Sequence, residues 1–246
     1  MLIRTIACSL EVNVFNKQCL VLVQKKQNSG KSTFCRWLCP PALGDYITEN
    51  INTDKDSLIA LATNMLINLD ELATLGKAEI NSLKSFMSKD KINARLPYDR
   101  KASVHPRRAS FVGSTNQLEF LVDETGSVRW LCFELENINF DYKLKIDIND
   151  VWRQAYQLYR NGEPYQLTPV EIEENERSNK TFQIQTYEME WAHKFFVPCS
   201  KEDGGQFMQT TDMVYYIERA KELKLRPQLF GKALRQLGFD QQSGRK

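Results

Sequence analysis

The stretch from Cys19 to Leu38, CLVLVQKKQNSGKSTFCRWL, restricts this chain more than any other. A short apolar run rich in β-formers, Cys19 to Val23, passes into a polar loop that ends in Gly30-Lys31-Ser32-Thr33, and a helix-like segment follows. Strand, loop and helix in that order are the setting a phosphate-binding loop requires. Backbone N–H groups of Gln27, Asn28, Ser29, Gly30, Lys31, Ser32 and Thr33 would face the phosphates, where a helix N-terminus favours negative charge. Lys31 would reach the β- and γ-phosphates of ATP, and the Ser32 hydroxyl would sit on Mg²⁺. The full pattern places a glycine five positions before Gly30, and this chain has Lys25 there. The motif therefore needs support from elsewhere in the chain.

That support comes at Met65-Leu66-Ile67-Asn68-Leu69-Asp70-Glu71, an apolar strand ending in two carboxylates. Such a strand is the second half of a P-loop ATPase site. Asp70 would hold Mg²⁺ and Glu71 would polarise the attacking water. Acids at a strand end are ordinarily only solvated caps, but downstream of a GKST they read as its partner.

Between and after these motifs the pattern alternates between helix and strand. Asp54 to Asn64 and Lys77 to Lys89 carry apolar residues at helical spacing. Lys91 to Arg108 is basic, with Lys91, Arg95, Arg100, Lys101, Arg107 and Arg108 against Asp99, and its prolines predict a loop or hairpin. It is either a solvated surface or a DNA- or phosphate-contacting element. Ala109 to Gly113 reads as a strand closed by Ser114-Thr115-Asn116. Asn116 there can orient a water, although Ser-Thr-Asn is also ordinary turn chemistry. Arg129 heads the apolar strand Val128 to Phe133 and wants either a carboxylate, such as Asp123, or a phosphate across a subunit boundary.

Composition excludes several classes. A formal charge of +2 over 246 residues carries no global nucleic-acid signature, so any DNA surface must be local. The six cysteines lie mostly among apolar neighbours and the two histidines, His105 and His193, are far from them, which favours free thiols over zinc. No apolar run is long enough to cross a membrane and no signal pattern opens the chain, so a cytoplasmic protein is expected.

Taken together, GKST, INLDEL, FVGSTN and LVDETGSVRW resemble the virulence-associated protein E family, helicase-like P-loop ATPases of phages, plasmids and integrated elements related to superfamily 3 helicases. The resemblance runs from about Cys19 to about Phe196. It implies an α/β P-loop NTPase of the AAA+ or superfamily 3 type, with a three-layer core, working on single-stranded DNA as a homo-oligomeric ring, commonly a hexamer. Lys31 and Ser32 match the Walker A lysine and hydroxyl, Asp70 and Glu71 the Walker B pair, and Asn116 the sensor asparagine. Arg129 falls where a ring-type arginine finger would sit, with Arg107 and Arg108 as rivals. Arg100, Lys101 and His105 occupy the place of a DNA-contacting hairpin. Family members often carry a primase-like region upstream, for which this sequence has no room, so a separate primase-like protein is a further expected partner.

The C-terminal third predicts helices. Asn149 to Tyr159 is amphipathic, and Thr168-Pro169-Val170-Glu171 has cap, first-turn proline and capping-box acid ahead of a long helical run to about Phe196. Beyond Gly204-Gly205, Thr211 to Leu223 and Pro227 to Leu237 read as two helices in a basic tail, either an incomplete winged-helix-like module or a lid. The expected division is an ATPase domain over 1–162, a helical linker or lid over 163–204 and a small basic helical module over 205–246. The expected function is ATP hydrolysis coupled to DNA translocation, unwinding or remodelling in replication of a mobile element. The rival expectations are a P-loop kinase and a DNA-binding remnant that no longer hydrolyses nucleotide.

Overall fold

The computed structural model describes residues 1–240 apart from Asn50, Thr53, Pro97, 122–127 and 201–203. Asp123, the carboxylate expected to pair with Arg129, lies outside the described residues. The apolar runs read from the sequence become a parallel sheet. Strands β1 (Cys19–Val23), β2 (Ile47–Glu49), β3 (Leu66–Leu69), β6 (Ser110–Thr115) and β7 (Trp130–Glu134) lie in the order β2-β3-β6-β1-β7, and every pairing is parallel. The remaining strands, β4 (Lys91–Ala94) and β5 (Ser103–Pro106), form a separate antiparallel hairpin, so the basic stretch is a hairpin rather than an irregular loop.

Near-continuous apolar runs such as CLVLV suit strands covered on both faces. Alternate side chains of β1 enter two different cores. Cys19, Val21 and Val23 join a cluster with Leu61 of α3 (Lys55–Thr63), Met87 of α4 (Lys77–Ser88) and Phe111. Leu22 joins Cys35 of α2 (Lys31–Trp37), Leu66 and Val112 on the other face. Each such side chain removed from water contributes about 1.5–3 kcal/mol. Five of the six cysteines are buried and Cys199 is exposed.

Parallel pairing has one consequence for function. The chain leaves β1, β3 and β6 at the same edge of the sheet, and these three strands are neighbours. Residues far apart in sequence are therefore forced side by side. Gly113 of β6 sits opposite Leu69, and a Cβ there would meet the Leu72 side chain at 2.8 Å and the Leu69 carbonyl at 3.0 Å. The bare backbone lets the turn after β3 fold close over β6.

An amphipathic helix that the sequence reading did not identify, α1 (Leu2–Leu10), packs on α6 (Ile148–Arg160). Its Arg4 guanidinium donates to the Tyr165 carbonyl, and the Tyr159 hydroxyl donates to Glu11. The capping box at Thr168 forms, with the Thr168 hydroxyl and Glu171 carboxylate satisfying each other's backbone N–H groups. The long helix expected from there to Phe196 does not. It breaks into α7 (Pro169–Asn179) and α8 (Tyr187–Phe195). Asn175 and Asn179 both donate side-chain amides to the Trp130 carbonyl, tying the end of α7 to β7, and the Thr186 hydroxyl caps a fresh helix by accepting from the Met189 N–H.

Contacts divide the chain into Met1–Gln183 and Ile184–Lys246. The expected linker over 163–204 is thus shared between the two units, because α7 anchors to the sheet through those amides. In the second unit α8, α9 (Thr210–Lys221) and α10 (Pro227–Gln236) enclose a core of Ala192, Met213, Ile217, Phe230 and Leu234. The Glu218 carboxylate accepts the Leu225 N–H and closes the turn between α9 and α10.

Candidate functional site

The edge where β1, β3 and β6 end holds a cleft of about 540 Å³. Gln27, Asn28, Ser29, Gly30, Lys31, Ser32 and Thr33 form one wall, Asp70 and Glu71 a second, and Ser114, Thr115 and Asn116 a third, with Arg36 and Phe140 at the margins. The three sequence motifs expected to act together do converge here.

The loop after β1 bends through two left-handed residues, Asn28 at φ 53° and Gly30 at φ 90°. Asparagine and glycine are the residues that adopt this conformation at least cost. Alternation of right- and left-handed backbone turns successive N–H groups to one side, which makes a concavity for anions. Lys31 is only 7% exposed, and its ammonium donates to the carbonyls of Gln24 (3.1 Å) and Lys26 (2.9 Å) and to the Ser29 hydroxyl (2.9 Å). All three acceptors are neutral. Burial lowers the Lys31 pKa from its ordinary value, and the charge of Asp70 opposes that shift. A desolvated cation without a bonded anion favours a negatively charged ligand.

Asp70 is the centre of the site. Its Oδ1 accepts from the hydroxyls of Ser32 and Ser114, each at 2.6 Å, and from the Glu71 N–H at 3.1 Å. Burial pushes its pKa up, but the two hydroxyls, the backbone N–H and the Arg36 guanidinium outweigh that and hold it below the ordinary carboxylate value. Asp70 is therefore an anion bonded to the Ser32 hydroxyl, another hard oxygen ligand. That pair fits Mg²⁺, which takes one or two carboxylates and hydroxyls and keeps several waters. Glu71 is exposed and stands in the left-handed region at φ 53°. Non-glycine residues there cost of order 1–3 kcal/mol and cluster at functional sites. Asn116, just past β6, faces the same cleft.

Other expected residues lie elsewhere. Arg129 precedes β7, and its carbonyl accepts the Cys19 N–H, so it flanks the start of β1. The loop begins at the other end of that strand, roughly 16 Å away at about 3.3 Å per residue. Arg129 donates to the Ser88 hydroxyl at 3.2 and 3.3 Å. It cannot serve the cleft of its own chain. The rival Arg107 is fully buried, donates to the carbonyls of Asn16, Met87, Lys89 and Ala109, and stacks over Phe15 and Phe111. Burial lowers its pKa to about 10. Arg108 donates to the Cys8 and Glu11 carbonyls at the end of α1. Arg107 is thus committed to backbone, and Arg108, held by two carbonyls, does not line the cleft.

Arg100 and Lys101 are exposed in the segment joining β4 to β5, away from the cleft lining. His105 is half-buried on β5, with its Nε2 2.8 Å from the Ser103 hydroxyl. Four residues of the cleft, Arg36, Ser114, Thr115 and Phe140, were not singled out from sequence. Ser114 could have been found as a hydroxyl at the end of the strand beside the acidic one. Arg36 lies one turn after Ser32 and reaches Glu49 at 2.9 Å and Asp70 at 3.7 Å. Phe140 gave no signal. Among the described residues no cluster of three metal-ligating side chains occurs, and no helix is long and apolar enough to cross a membrane.

No curated protein matches the chain. Among solved structures it is similar to the apo A form of the NrS-1 C-terminal region, 305–718, at 12% identity and a TM-score of 0.49, covering 96% of this chain. A second apo A form of that region matches 75% of this chain at 14% identity and a TM-score of 0.41. The chain spans 64% and 44% of the two structures. The model of the virulence-associated protein E-like domain matches residues 1–184, a range that ends beside the division at Gln183. The chain belongs to the virulence-associated protein E-like domain family.

Proposed function

We propose that the chain is a P-loop ATPase that couples ATP hydrolysis to movement on, or remodelling of, DNA in the replication of a mobile element. The observation that carries this reading is the cluster of Lys31, Ser32, Asp70 and Ser114 at the carboxyl ends of three adjacent parallel strands. Ligands of open parallel sheets bind at that edge, where the strand order reverses. Here the reversal lies between β1 and its neighbours β6 and β7.

In this reading the loop N–H groups and Lys31 bind the triphosphate, and Lys31 exchanges its neutral loop acceptors for phosphate oxygens. Ser32 and Asp70 hold Mg²⁺, which neutralises charge on the phosphate oxygens when bound. Glu71 takes the proton of the attacking water, and Asn116 orients that water. Arg129 can act only on the site of another copy, which requires a ring of subunits. The exposed Arg100 and Lys101 of the hairpin contact DNA phosphates.

The test measures ATP turnover with and without single-stranded DNA. Wild-type protein should hydrolyse ATP faster with DNA, Lys31→Ala should lose nucleotide binding, and Glu71→Gln should bind ATP but hydrolyse it orders of magnitude more slowly. DNA-independent transfer to an acceptor would establish a kinase instead. Absence of both binding and turnover would establish a DNA-binding remnant.

A further inference from the structure

Phe140 is the only apolar side chain among the described residues lining the cleft. Its ring lies against the loop, 2.7 Å from where a Cβ on Gly30 would stand, so the glycine serves both the left-handed turn and the close approach of the ring. Yet the residue is 53% exposed. One side of the ring rests on backbone and much of the rest faces the opening.

The position of the ring is set by its neighbours. Two residues on, Tyr142 is buried edge-on against Phe34 and Trp37 of α2, with ring centres 5.1 and 4.8 Å away. The Asn139 side chain accepts the Asp141 N–H at 2.9 Å, and its carbonyl accepts the Tyr142 N–H. The turn is thus pinned from both sides of Phe140. An aromatic side chain with two rotatable bonds loses little entropy on binding. A half-exposed ring stabilises the fold little, but beside a polar anion cradle it complements the other half of a nucleotide.

We propose that Phe140 is the base platform of the cleft, on whose open face the nucleobase of a nucleoside triphosphate stacks while the phosphates occupy the loop. This inference rests on the nucleotide reading of the same site. Stacking depends on π surface rather than on hydrogen-bonding edges, so purine nucleotides bind more tightly than pyrimidine ones and adenine is not strongly distinguished from guanine.

Calorimetric titration of the full chain with ATP and with inorganic tripolyphosphate, both with Mg²⁺, separates the base from the phosphates. Phe140→Ala should weaken ATP binding roughly 10-fold or more while leaving tripolyphosphate within about 2-fold. Phe140→Leu, which keeps an apolar cover over Gly30 without a π face, should lose the same selectivity, and Phe140→Tyr should retain it. Lys31→Ala should weaken both ligands. Equal weakening of both ligands in Phe140→Ala and Phe140→Leu would show that the ring only braces the loop and would overturn the proposal, as would no effect on either. If wild-type protein binds tripolyphosphate but gains nothing from the base, the platform fails while the phosphate site stands. If it binds neither ligand, the nucleotide reading itself fails.

Discussion

Ser114→Ala removes one of the two hydroxyls that converge on Asp70 Oδ1 and leaves the backbone of β6 untouched. A hydrogen bond to a charged group contributes about 1.5–3 kcal/mol when enclosed. The Asp70 side chain is 28% exposed, so solvent screening reduces that to ~1 kcal/mol. The effect has a characteristic dependence on pH. Asp70 has a folded-state pKa held below its unfolded value, so its stabilisation is complete above about pH 4 and is lost as pH falls through the lower, folded value. Removing the Ser114 hydroxyl moves the folded value up toward the unfolded one. Urea titrations of wild type and Ser114→Ala from pH 7 to pH 3 should therefore show a difference near 1 kcal/mol at neutral pH that shrinks in acid. A difference of equal size at every pH would mean that Ser114 acts through packing alone, and the charge-assisted account of the Asp70 cluster would be wrong.

Two other perturbations test parts of the molecule away from the cleft. Arg107→Met should lower stability by about 3 kcal/mol, because several buried carbonyls lose their donor at once, and Arg107→Lys should not restore it, since an ammonium cannot span acceptors contributed by residues 16, 87, 89 and 109. Equilibrium unfolding measures this, and a loss under about 1 kcal/mol would contradict the role given to those bonds. Replacing Arg100 and Lys101 together by alanine should weaken single-stranded DNA binding without regard to sequence and flatten the log–log salt dependence by about 1.5 units. An unchanged slope would make the hairpin a solvated surface only.

Local sequence was enough to locate the loop, the acidic strand end, the capping box at Thr168 and the helices after Thr210, because each is written in the period of apolar residues or in a cap a few residues long. Those signals are short-range, and so is their reach. The break between α7 and α8 has no proline or glycine to announce it. It depends on Asn175 and Asn179 finding a carbonyl of β7. Arg100 and Arg107 look alike in a basic stretch, yet one is exposed and the other wholly buried, because the partners of Arg107 come from Asn16 and Met87. Ser114 and Phe140 acquire a place in the cleft only when parallel pairing sets β3 and β6 beside β1 and when the Tyr142 anchor folds its turn over Gly30. The sequence by itself determined the strands that end at the cleft, most of the helices, and which of their ends carry charge. Only the tertiary structure decided which charges meet, since a side chain's partners are set by strand order and burial, to which residues distant in the chain contribute as much as its neighbours.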